Sequence, residues 1–340
     1  MPRSASPARI APPDRAQSGA ALPALLLFLA LLVLLAAPAF AGAYWLRVLS
    51  TVYMYAVIAQ GINLMAGYTG YPAFGNVVFF GLGGYATGVL MLKFHLPFVP
   101  AALAAILGCA LIVLVVGPPL LRLKGHYFAI ATLGLNEAVK EVVANATSLT
   151  GGGMGLSLPI PGGSASASAA MFYYLFLGVM LVSLWGTWEF GRRRLGIACR
   201  AIRDNETKAE SSGLHTTRYK TVAWMISAAM TGAAGSINAY WLTYIDPPSA
   251  FDMAIAVKAF VIFLLGGAAT VLGPVIGAFV VEILATLTWS RLLNWHLGAM
   301  GILIMLVVLV FPNGFGIAWY RTRLARGFTA RPSRRDTGDR

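Results

Sequence analysis

The sequence predicts an all-α, polytopic membrane protein, a bundle of about ten transmembrane helices. Three observations carry that expectation. Of 340 residues, 58% are hydrophobic and only 11% are charged, against about 45–50% and about 25% in soluble chains, and the mean hydropathy is +0.75. Apolar runs recur that are long enough to cross a hydrocarbon core about 30 Å thick, which takes about 20 helical residues. The 25 Lys and Arg that give a net charge of +13 gather in the tails and a few loops, as in cytoplasmic loops of inner-membrane proteins. That clustering argues against a nucleic-acid partner.

The first element is ALPALLLFLALLVLLAAPAFA, residues 21–41, preceded by Arg3, Arg9 and Arg15. Its end, Ala39-Phe40-Ala41, resembles a signal-peptidase site. Its 21 residues are long for a signal core and right for a span, so a retained first helix is expected. Further spans are expected near 44–66, 74–92, 98–120, 126–144, 171–189, 221–243, 253–270, 274–290 and 297–312. The 126–144 segment is the weakest, because Glu137, Lys140 and Glu141 load its second half. Gly273-Pro274 leaves 253–290 readable as two spans or as one broken helix. The chain thus divides into a tail (1–20), a membrane domain (21–318) with a basic loop (191–220), and a basic C-terminal tail (319–340).

Ten spans put four positive clusters on one side: the N-terminal tail, Arg122 with Lys124, the loop 192–220, and the seven Arg of 321–340. By the positive-inside rule that side is cytoplasmic, both termini included. Arg47, Lys93 and Arg291 fall on the other side. The loop 145–170, uncharged and rich in Gly and Ser, then faces outward and reads as mobile.

Several chemistries are excluded. No Lys follows a Gly, so a G-x-x-x-x-G-K-[ST] phosphate loop is impossible. GLGGYA at 81–86 fits a dinucleotide pattern but lies in an apolar run with no strand before it. HExxH, CxxC and G-x-S-x-G are absent, and the four histidines are scattered. Cys109 and Cys199 lie at different membrane depths and form no disulfide framework.

Two regions combine small residues with isolated polar ones. In QGINLMAGYTGYPAFGNVVFFGLGGYATG, Gly84 and Gly88 permit close helix approach, and Gly70, Pro72 and Gly75 should interrupt a helix. Irregular backbone at membrane depth lies against protein or a water-filled cavity. Asn63, Tyr68 and Asn76 are therefore candidates to line a pathway, with interhelical hydrogen bonding as the equal alternative. In LLGGAATVLGPVIGAFVVEILA, Glu282 lies within a span. An ionised carboxylate there costs about 2.5–3.5 kcal/mol, so it must be paired, protonated or facing water.

The densest charge is RRRLGIACRAIRDNETKAESSGLHTTRYK, residues 192–220, with eight of the 25 basic residues and three of the 12 acids. A positive-inside loop explains the bases but not the acids.

Several of these segments resemble branched-chain amino acid ABC transporter permeases of the LivM type. They are GYTGYPAFGNVVFFGLGGYATG, LKGHYFAIATLGLNE, SLTGGGMGL, RAIRDNETKAESSGLHTTRYK, LLGGAATVLGPVIGA and FPNGFG, in that order over about 40–316. Asn76 departs from the His or Gln of many relatives, which loosens any transfer of substrate identity. The resemblance implies a permease that binds no cofactor itself, with ATP and Mg on partner subunits. Those partners would be a second, LivH-type permease, two ATP-binding subunits and a periplasmic binding protein. It also implies a cytoplasmic helix docking on an ATPase, carried here by Arg200, Arg203, Asp204, Asn205, Glu206, Ala209 and Glu210 and ended by Gly213. In that helix Ala201, Ile202 and Ala209 would give apolar contacts, and Arg203, Asp204, Glu206 and Lys208 a polar rim. The substrate implied is a hydrophobic amino acid, with urea or short-chain amides as the alternative. A rival of another class is a self-sufficient secondary transporter or channel, which discontinuous helices and Glu282 also fit.

Overall fold

The structure, a computed structural model, describes residues 32–40, 42–162, 164–291 and 301. The expected tails at 1–20 and 319–340, the span at 297–312 and the FPNGFG motif lie outside the described residues. Residues 1–42 form a unit of their own, within which 32–40 are helical.

In the second unit, α1 (Ala43–Ile62) runs on into a π-helical turn (Asn63–Thr69) that stops at Gly70, φ +77°. After a 3-10 turn (Phe74–Asn76) come α2 (Val77–Lys93), α3 (Phe98–Leu120) and α4 (His126–Asn145). Next are α5 (Ala165–Arg192), α6 (Arg194–Asp204), α7 (Glu206–Ser211) and α8 (Thr216–Leu242). Last are α9 (Met253–Gly266) and α10 (Gly273–Arg291). The fold is an all-α membrane bundle. Among the described residues five stretches are long and apolar enough to span: Ala43–Thr69, Phe74–Lys93, Phe98–Leu120, Ala165–Arg192 and Pro247–Gly266.

The expected spans at 126–144 and 221–243 are helices but fall outside that apolar set. For α8 the reason is its position. It packs against α1, α2, α3 and α5, and its Ser227, Thr231 and Ser236 are buried against protein. A helix surrounded by helices can carry hydroxyls and small residues, because its partners satisfy them. At the α2–α8 crossing the backbones touch: a Cβ on Gly83 would lie 2.2 Å from the Gly232 carbonyl oxygen, and one on Gly235 would lie 1.9 Å from that of Phe80. Gly84 belongs to this crossing, whereas Gly88 has ordinary clearance, its nearest neighbour 3.5 Å away on Leu156. Phe79 and Phe128 meet the buried Trp224 edge-on beside it.

Residues 267–272 separate two helices, the second opening on Gly273-Pro274, so 253–290 is a tight hairpin rather than one broken helix. Gly277 packs against the Ile262 carbonyl, where a Cβ would clash at 2.3 Å.

The connections sort into two ends. Arg203 bonds the Gly67 carbonyl and Lys220 the Leu121 carbonyl, which gathers 67–71, 121 and the 191–220 loop at one end. At the other, Lys93 bonds the Ser148 carbonyl, and strands Leu156–Ser157 and Tyr244–Ile245 pair antiparallel. The alternation matches the expected topology. The 147–158 segment is not the mobile loop expected. Thr150 Oγ1 bonds Val143 O at 2.6 Å, Tyr244 OH bonds Met154 O at 2.9 Å, and Gly151, Gly152 and Gly155 take positive φ. The glycines that read as flexibility are there for a tight backbone path.

Candidate functional site

The charged loop folds into two short helices, not the single one expected over 200–210. The break is at Asn205, whose backbone is extended (φ −163°, ψ 104°) and whose Oδ1 accepts from Lys208 N at 3.0 Å. Asn competes with helix continuation by capping the next one. The far end is as expected. Gly213 has φ +85°, with Gly213 N bonded to Glu210 O at 2.9 Å and Leu214 N to Ala209 O at 3.1 Å, a Schellman termination.

Which residues face outward differs from the expectation. Ile202 and Ala209 are buried in the chain's own core, because two short amphipathic helices must bury their apolar sides against the bundle. Ala201, Asp204, Asn205, Lys208 and Glu210 face solvent. Arg200 and Arg203 are exposed too but reach back onto the bundle: Arg200 Nη2 donates to Gly191 O at 2.5 Å and its guanidinium lies 5.7 Å over the Tyr68 ring, while Arg203 Nη1 donates to Gly67 O at 2.7 Å.

Glu206, expected at the rim, also turns inward. Its carboxylate receives Lys220 Nζ at 2.6 Å and Tyr71 OH at 2.5 Å. Lys220, 1% exposed, also donates to Tyr71 OH at 3.0 Å and to Leu121 O at 3.3 Å. Burial works against the Glu206 charge, but the hydrogen bonds from Lys220 and Tyr71 and the charges of Lys220 and Lys124 outweigh it and hold the carboxyl below its ordinary range. Burial, then the Glu206 carboxylate, raises the Tyr71 phenol. Nearby, burial pushes the Cys199 thiol up to about 12.

The candidate pathway residues are buried and bonded. Asn63 Oδ1 accepts from Ala269 N and its Nδ2 donates to Thr270 O, both at 2.8 Å. Gln60 Nε2 donates to Val271 O at 2.5 Å, so two amides hold the turn between α9 and α10, in which Ala269 has φ +58°. Asn76 Nδ2 donates to Thr231 Oγ1 at 2.7 Å, and Asn76 Oδ1 accepts from Ser227 Oγ at 3.3 Å. Tyr68 meets Phe190 edge-on. The π turn therefore touches the charged loop at Gly67 and Tyr68 and the α9–α10 turn at Asn63.

Glu282 is paired. Lys258 Nζ lies 2.6 Å from Glu282 Oε1, between the two arms of the hairpin, and 4.3 Å over the Tyr55 ring. The contact is ionic rather than well directed, since Oε1 has no aligned donor. Sequence reasoning missed Lys258, Lys220, Tyr71 and Gln60. The signal was present for two of them: the rule that singled out Glu282 applies equally to a lone Lys in MAIAVKAFVIFLLG and to a Lys at the mouth of α8.

A family profile described as branched-chain amino acid transport system / permease component matches residues 44–310. The chain is 29% identical over 240 residues to the high-affinity branched-chain amino acid transport system permease protein LivM of Salmonella typhimurium, covering 63% of this chain and 56% of that protein. To LivM of Escherichia coli it is 28% identical over 256 residues, 68% of this chain and 60% of that protein. To the permease protein LivH of Escherichia coli it is 31% identical over 122 residues, 36% of this chain and 39% of that protein. The chain thus spans less than two thirds of the two LivM relatives. No solved structure matches it.

Proposed function

From the premise that this chain belongs to the branched-chain amino acid transport permease family, we propose that it is one membrane subunit of an ATP-driven importer of hydrophobic amino acids. A LivH-type permease would stand beside it, with two ATPase subunits on the charged-loop face and a binding protein on the other. That places the charged loop and both termini in the cytoplasm of a bacterial inner membrane.

The observation that carries this reading is the two-sided build of α6–α7. The outer side offers Asp204, Lys208 and Glu210, while the inner side is tied through Arg203 to the π turn and through Glu206 to α8. A push on the outer side has a bonded route into the bundle: Arg203 to Gly67, Asn63 to Ala269, and so to the hairpin bearing Lys258 and Glu282. A self-sufficient channel has no use for such a face.

Gly213→Arg tests it. A Cβ there meets nothing within 4 Å, so the bundle should fold normally. The side chain would project from the outer surface, and the left-handed backbone adds strain of about 1 kcal/mol. ATPase retention on affinity purification, or stimulation of ATP hydrolysis by loaded binding protein, should be lost. If both stay at wild-type level, this face does not dock an ATPase.

A further inference from the structure

The α9–α10 hairpin does not need an ion pair to close it. Glycine contacts at Gly266, Gly273 and Gly277 already bring the backbones together, and Asn63 and Gln60 fix the turn. Yet Lys258 and Glu282 sit near the middle of their helices, where taking two charges from water costs more than their attraction commonly returns. Among the described residues no neutral donor supports the Glu282 carboxylate. The Lys258 side chain remains 20% exposed against 6% for Glu282.

The outer side of the hairpin is apolar and exposed. Val257 and Leu264 on α9 and Ile276 and Ile283 on α10 are exposed. A cation beside such a stripe cannot open onto hydrocarbon, so this face borders water or another subunit. The partly buried Tyr55 completes it, its ring 4.3 Å from Lys258 Nζ.

We propose that Lys258 and Glu282 bind the charged backbone of a zwitterionic α-amino acid during its passage. Lys258 takes the carboxylate, Glu282 takes the ammonium, and Tyr55 with the aliphatic stripe receives an apolar side chain. Without solute the two residues neutralise each other, and with solute each trades one opposite charge for another, so no step leaves a lone charge in the membrane. A neutral solute such as urea has nothing to offer either partner. The inference rests on the permease reading above and adds to it the residues that sense the substrate.

The test uses the whole importer in proteoliposomes, where ATP-dependent leucine uptake by the wild-type complex checks the permease reading by itself. In the Lys258→Met/Glu282→Leu variant, an apolar pair replaces the ionic one. A purely structural pair tolerates that exchange, often with a gain in stability. A recognition site does not, so the variant should assemble while leucine uptake falls about a hundredfold. Uptake near the wild-type rate overturns the proposal. Should the variant fail to assemble, Tyr55→Cys decides: saturating leucine should slow its modification by a small thiol reagent and urea should not. Equal rates with and without leucine also overturn it.

Discussion

Two Lys–Glu pairs among the described residues join different helices, both at 2.6 Å, and they differ in everything else. Lys220–Glu206, at the charged-loop end, is completed by the Tyr71 hydroxyl and the Leu121 carbonyl. Lys258–Glu282, inside the hairpin, has an aromatic face and a poorly aimed contact. A buried pair gains from its surroundings only when the remaining donors and acceptors are filled. The first pair is saturated and works as a joint between the loop and α8. The second is left with unused capacity, which is what a site for a charged ligand requires.

The largest expected effect separates the two joints directly. Lys220→Met leaves the half-buried Glu206 carboxylate without its counter-charge and held by the Tyr71 hydroxyl alone, at a cost of about 3–5 kcal/mol. It should lower the thermal midpoint of the purified complex and release the ATPase subunits. Lys258→Met should cost less, because it breaks one poorly aimed contact where Lys220→Met breaks bonds to Glu206, Tyr71 and Leu121. Equal losses in a thermal scan would erase the distinction.

Next come the apolar exchanges. Glu206→Leu/Lys220→Met strands the Tyr71 hydroxyl and the Leu121 carbonyl, each unmade bond costing about 1–3 kcal/mol. The matching exchange at Lys258 and Glu282 strands nothing, so its thermal midpoint should hold or rise. The same scans decide, and a hairpin exchange that melts earlier than the loop exchange sinks the comparison.

Acid should sharpen it further. The Glu206 carboxyl is held below its ordinary range when folded, so its contribution is complete above that range and lost as pH falls through the depressed value. Wild type and Glu206→Gln should therefore differ most at neutral pH and converge on acidification below about pH 4. A gap that widens toward acid would mean the carboxyl is raised, not lowered.

The smallest effects belong to the outer side of α7. Glu210→Lys and Asp204→Lys alter exposed charges worth about 0–1 kcal/mol. They should shift ATPase affinity slightly, fade in high salt and leave the thermal midpoint unchanged, as binding titrations at two ionic strengths will show.

The bundle was largely legible in the sequence, because a run of apolar residues is its own signal for a span. The run from 98 to 120 is helix α3 to the residue. The Gly213 termination was legible too, since a helix end of that kind is local chemistry. What the sequence concealed is pairing across distance. Tyr71, Glu206 and Lys220 meet although up to 149 positions separate them, and nothing near Glu206 says that it faces inward. Composition misled at 145–170, where glycine marks close backbone passage as readily as it marks freedom. Run length found α8 as well, since the span expected at 221–243 is helix Thr216–Leu242, but it did not show that protein surrounds this helix.

The turn closing the α9–α10 hairpin is wound, not slack. Ala269 occupies the left-handed region without glycine's exemption, a conformation that costs about 1–2 kcal/mol for a residue with a Cβ. What keeps it there is the side chain of Asn63, whose amide grips the backbone on both sides like an inserted peptide group. The turn is therefore a cocked spring with Asn63 as its catch. The catch lies on the π turn that the charged loop also grips, so a displacement of that loop bears on the residue that holds this turn wound.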